Sequence, residues 1–195
     1  MTIETNVHRE SRLAKLKALQ DKGYNPYPYR FRPDAFAADL QEKYKELEPG
    51  ADTEDRVTVA GRAMAVRNNG MFIDIKDISG KIQAFCHKNH LSEEDIERLK
   101  CLDVGDMVGI SGYVRRTPRG ELSIAAEKFD IISKSLQPLP EKFHGLTDVD
   151  ARYRQRYVDF IMNEDSKEIY KKRCQITSAI RRWFEENGFL EVETP

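Results

Sequence analysis

Phe72, Gln83, Arg67 and the cluster Arg115, Arg116 and Arg119 bring a ring, an amide and four guanidinium groups into the middle of this chain. A ring on a polar face can stack on an unpaired base, an amide can pair with a base edge, and arginines can meet phosphates. Together they describe a binder of single-stranded nucleic acid. The plainer alternative puts Phe72 beneath a neighbouring helix and leaves the charges as solvated surface, since scattered exposed apolar groups are common. What separates the two is whether the local structure gathers these residues on one face.

The strand pattern does so. Over residues 71–77 the period of two places Ile73 and Ile75 on one face and Phe72, Asp74 and Lys76 on the other. Residues 81–85 turn Ile82 and Ala84 inward and Gln83 outward with Lys81. Parity then leaves Phe72 and Gln83 on the same face, opposite or diagonal, whether the turn between them has two or four residues. Before this pair lies a strand with Val57 and Val59 alternating inward and Gly61 as a bulge or barrel corner, then the turn Asn68-Asn69-Gly70. After it comes a helix start in which Ser92 can cap the Asp95 amide and Leu91 can staple onto Ile96. A fourth strand over 107–115 points Val108, Ile110 and Val114 inward, the turn 116–120 follows, and a fifth strand begins at Glu121. Five short strands with one helix between the third and fourth, spanning 56–133, make the pattern of an OB-fold barrel. Its usual ligand surface is the face of strands two and three with the loops joining strands one to two and four to five, where the residues above collect.

The flanks are helical. Residues 7–22 carry a narrow stripe of Leu13, Leu16 and Leu19 ending at Gly23, and a second helix runs from Asp34 as N-cap through Phe36, Leu40, Tyr44 and Leu47. The aromatic, proline-containing stretch 24–31 between them serves either binding or packing, and packing is favoured because both helices must dock somewhere. The expected organisation is an N-terminal helical extension over 1–55, the barrel over 56–133, a linker over 134–147 with Pro138-Leu139-Pro140, and a further domain beginning at 148. In that last part a helix over 166–187 carries Ile169, Ile176, Ile180, Trp183 and Phe184, Gly188 ends it, and residues 189–194 read as a strand stopped by Pro195. A helix and a strand without a second layer form no core, so this stripe is expected to pack on a partner chain or on further protein.

Composition limits the alternatives. With 39% hydrophobic and 33% charged residues in 195, the chain suits one or two soluble domains. A net charge of −1 means that nucleic-acid binding must rest on a local patch. Three cysteines, an odd number without an apolar leader, favour a reducing, cytoplasmic setting, and no apolar run reaches membrane length. The run Cys86-His87-Lys88-Asn89-His90 with Cys101 offers zinc-type ligands, but the spacing lacks paired short motifs, so no metal is expected and Cys86 reads as a small core residue. No phosphate-binding glycine loop or serine-nucleophile motif stands out. Glu191 and Glu193 share a face without an evident pocket.

Several blocks also resemble class II lysyl-tRNA synthetases: Val59-Ala60-Gly61-Arg62, Gly120-Glu121-Leu122-Ser123, the run from Pro138 to Leu146, and Ala151-Arg152-Tyr153-Arg154-Gln155-Arg156-Tyr157-Val158-Asp159. The last two are the most specific and argue against the related aspartyl and asparaginyl enzymes. The resemblance implies an anticodon-binding barrel for lysine tRNA, with Phe72 stacking on an anticodon base, Gln83 reading the central uridine, and Arg67 and Glu121 as further contacts. It implies that 148–195 begins the catalytic domain with motif 1, whose helix, including Trp183 and Phe184, and Pro195 form a homodimer interface. ATP and magnesium belong to the parent enzyme. No counterpart of motifs 2 and 3 follows, so this chain alone is expected to hold neither cofactor, to have no catalytic residue and not to activate lysine. Neither membrane nor DNA is an expected partner. The competing function is a generic OB-fold module for single-stranded nucleic acid or protein.

Overall fold

In a computed structural model, residues 3–140 and 146–194 are described, and the chain divides into two compact units, 1–138 and 139–195. The first contains a closed five-stranded barrel in the order β1-β2-β3-β5-β4. Its strands are β1 (Asp52–Arg67), β2 (Phe72–Lys76), β3 (Lys81–Phe85), β4 (Met107–Arg116) and β5 (Leu122–Ser133). All neighbours are antiparallel except β3 and β5, whose parallel pairing closes the barrel. Closure removes the exposed edges that an open sheet would present. Of the inward residues expected from alternation, Val59, Ile73, Ile75, Ile82, Ala84, Val108, Ile110 and Val114 are buried around a centre made by Phe129, Ile124 and Ile131. Val57, near the start of the paired stretch of β1, is only partly buried.

Three helices surround the barrel. Helix α1 (Ile3–Asp21) buries Leu19 and is fixed by polar contacts as well. Arg12 donates to the carbonyls of Val104 (3.0 Å) and Ser135 (2.8 Å), and Lys15 pairs with Asp103 at 2.6 Å. Asp103 and Asp106 also hold the buried Lys134, at 2.5 and 2.6 Å. A buried ammonium is tolerable only with such partners. Helix α2 is shorter than expected, Ala37–Lys43, and Asp34 does not cap it. Asp34 accepts from the Thr58 amide instead (2.7 Å), while the free amides of α2 are met by Asp77 and Ser79 in the β2–β3 turn, at 2.7 and 3.0 Å. Helix α3 (Glu93–Lys100) begins as expected, with Ser92 accepting from the Asp95 amide.

Gly61 is not a bulge, because the register of β1 with β2 shifts between Ala63 and Ala65. Gly61 marks close packing instead: a Cβ there would lie 2.6 Å from both Ile75 Cγ2 and the Lys76 carbonyl.

The second unit contains α4 (Val149–Arg154), α5 (Arg156–Met162) and α6 (Glu164–Glu186). Its polar centre is the fully buried Asp159, which accepts from Arg152 (2.8 Å), Arg156 (2.5 Å) and Asn163 (2.6 Å). Residues 189–194 form no strand. A strand needs a hydrogen-bonding neighbour, and none pairs with this segment among the described residues.

Candidate nucleic-acid interface

The barrel's outer face carries a concavity of about 690 Å³ walled by β2, β3, β4 and the β4–β5 turn. Phe72 and Phe85 lie directly opposite across β2 and β3, with ring centroids 5.2 Å apart. Asp74 faces Gln83 in the next pair, so the four-residue turn makes Phe72 and Gln83 diagonal neighbours. Phe72 is partly exposed and lines the concavity. Phe85 does too. Sequence reasoning overlooked this second ring, although alternation from Gln83 places it on the same face.

Gln83 lies on the expected face but is not open to solvent, being only 9% exposed. Its Oε1 accepts from the buried Ser123 hydroxyl at 2.9 Å, across the parallel pairing of β3 with β5. This contact could not be read from strand patterns, because β3 and β5 meet only on closure. With Oε1 engaged, the Nε2 donors remain for the concavity.

Arg67, at the end of β1, forms a two-pronged ion pair with Asp74 (2.9 and 2.7 Å). Donation to the Asp74 carboxylate also raises the pKa of the Arg67 guanidinium, so the group stays charged and fixed in direction at the rim. Asn68 adjoins it, with φ of 49° and Asn69 at 54°. This left-handed run suits asparagine better than most residues.

The three arginines of the turn divide. Arg115 lies over the Phe85 ring, 5.2 Å from its centroid, and pairs with Asp52 at 3.1 Å. Arg119 is exposed at the lip. Arg116 does not line the site: it donates to the carbonyls of Gly120 (2.7 Å) and Tyr44 (2.6 Å), bracing the turn against the segment after α2. Those carbonyls engage Nη1 and Nη2, and Nε is buried, so the group does not face a phosphate in the concavity. Glu121 lines the far wall, and its amide and carbonyl are tied to Thr117. The site therefore unites Arg67, Phe72, Gln83, Arg115, Arg119 and Glu121, and leaves out Arg116.

Cys86 is buried, and burial pushes its thiol up to about 12, as suits a core residue rather than a nucleophile. Trp183 and Phe184 belong to the second unit, on α6, and Pro195 lies outside the described residues. No helix among the described residues is long and apolar enough to cross a membrane.

Barrel and site together define a nucleic-acid-binding OB-fold, and sequence comparison agrees. Residues 57–132 match the OB-fold nucleic acid binding domain, and residues 148–195 match the class II tRNA synthetases (D, K and N). The chain is 50% identical over 186 residues, 95% of its length, to a lysine–tRNA ligase of Sinorhizobium medicae. It is 48% identical to that of Agrobacterium fabrum and 46% identical to the chloroplastic/mitochondrial one of Arabidopsis thaliana. By sequence the chain is similar to the N-terminal region of class II lysyl-tRNA synthetases. The chain spans 37% of the length of the two bacterial relatives and 32% of the plant one.

Proposed function

We propose that this chain reads the anticodon loop of lysine tRNA. The observation that carries this is the meeting, in one concavity, of the Phe72 and Phe85 rings, the Gln83 amide and the guanidinium groups of Arg67, Arg115 and Arg119. Phe72 stacks on an anticodon base, and Gln83 pairs with the edge of the central uridine. Arg67 and Glu121 contact neighbouring bases, while Arg115 and Arg119 face phosphates. The family match favours lysine tRNA over other single strands.

In this reading the whole protein joins lysine to its tRNA using ATP and magnesium, as a cytoplasmic homodimer. We assign no residue of this chain to ATP, to magnesium or to catalysis. Phe72→Ala should cost about 1–3 kcal/mol of affinity for a lysine anticodon stem-loop, the usual loss for one stacked base. Fluorescence anisotropy measures it. Unchanged affinity in a folded variant would overturn the assignment, and equal binding of unrelated single strands by the wild type would favour a generic OB-fold module.

A further inference from the structure

The rings do not stop at the concavity. In the strand register Phe72 opposes Phe85, Phe85 opposes Ala125, and Ala125 opposes Tyr113, so one outward row crosses four strands. Ala125 brings no ring to that row, and two imidazoles of the turn after β3 link the Phe85 ring to the Tyr113 ring instead. His87 lies 5.7 Å from Phe85 by ring centroids, His90 lies 5.8 Å from His87, and Tyr113 lies 6.5 Å from His90. The turn is fixed by the His90 amide donating to the His87 carbonyl at 3.0 Å.

An outward row of touching rings is not needed by a barrel whose inward face already holds the core. His90 is exposed, and His87 and Tyr113 are partly so. The nearby charges favour a polyanion: Lys88 is exposed between the two histidines, and Glu127 close to His90 is paired with Arg56 at 2.9 Å. Resting on the anticodon reading, we propose that the nucleotide track continues from Phe72 and Phe85 over His87, His90 and Tyr113, where it takes the base of a second unpaired nucleotide flanking the anticodon. Stacking needs only a base's π-face, so this subsite adds affinity without strong sequence preference.

The test uses the full chain and anticodon stem-loops in which one unpaired nucleotide outside the anticodon is replaced, position by position, by an abasic one. Tyr113→Ala and His90→Ala should each weaken the intact loop by roughly 5–150-fold, the span expected for one stacked base. At one loop position the abasic replacement should weaken the wild type by a similar factor and add nothing to either variant. Tyr113→Phe keeps the ring and should bind as the wild type does. If Tyr113→Ala disturbs the barrel, His90→Ala, on an exposed turn, carries the test. Wild-type affinity in His90→Ala, or losses independent of every abasic position, would overturn the subsite while a Phe72→Ala defect kept the anticodon reading intact. No defect in Phe72→Ala would remove both.

Discussion

In the proposed anticodon reading, discrimination at Gln83 depends on a hydroxyl that no base would touch. Ser123 donates to Oε1 from beneath, which turns Nε2 toward the concavity as a donor. A donor there suits the uridine O4 acceptor and opposes the cytidine amino group. Gln83→Ala should therefore lose discrimination between uridine- and cytidine-containing stem-loops more than it loses total affinity. Ser123→Ala should free the amide to flip and also narrow the difference, by about 1 kcal/mol, the worth of one such hydrogen bond. Paired anisotropy titrations decide both, and equal losses on the two RNAs would count against base readout. Phe72 could be found by alternation, a property of one strand. Gln83's burial and its tie to Ser123 could not, because its partner is 40 residues away. Nor could the diversion of Arg116, whose spacing in sequence is indistinguishable from that of its neighbours Arg115 and Arg119.

At the scale of elements, strand closure depends on close approaches. A Cβ at Gly112 would lie 1.9 Å from the Ala125 carbonyl, beside the register shift of β4 against β5. The clash is with backbone, which cannot swing away as a side chain can. Gly112→Ala should cost at least about 1–3 kcal/mol of stability in a denaturant melt, and an unchanged midpoint would contradict this. In the second unit, burial pushes Asp159 up, but hydrogen bonds from Asn163, Ser166, Arg152 and Arg156 outweigh it and hold the carboxyl at about 2. A depressed carboxyl stabilises the folded state above its ordinary value of 3.8, and that contribution fades as pH falls toward about 2. The thermal stability of α4 to α6 should drop over this window, read by Trp183 fluorescence, and Asp159→Asn should flatten the dependence. Identical acid profiles would refute the assignment. The sequence showed arginines interleaved with aromatics here, but not that two of them converge on one carboxylate.

The two units carry different expectations at the scale of the whole molecule. The barrel has its own core, whereas α6 presents Ile169, Ile176, Ile180, Trp183 and Phe184 to solvent, with Trp183 57% exposed. Such a patch commonly marks an association surface. Sedimentation velocity should detect concentration-dependent dimers that Trp183→Glu abolishes, and a wild type that stays monomeric at high concentration would reject α6 as the interface. The sequence by itself determined the OB-fold, the inward residues and the face bearing Phe72, because alternation and turn chemistry act over a few neighbouring residues. The family followed from specific runs of residues. Alternation also places Phe85 on that face, but only the tertiary structure decided that it lies directly opposite Phe72, that Ser123 orients Gln83, that Arg116 is engaged by carbonyls and that residues 189–194 are not a strand. Each of these rests on what lies across a strand pairing or a loop contact, and such contacts exist only once the chain has closed.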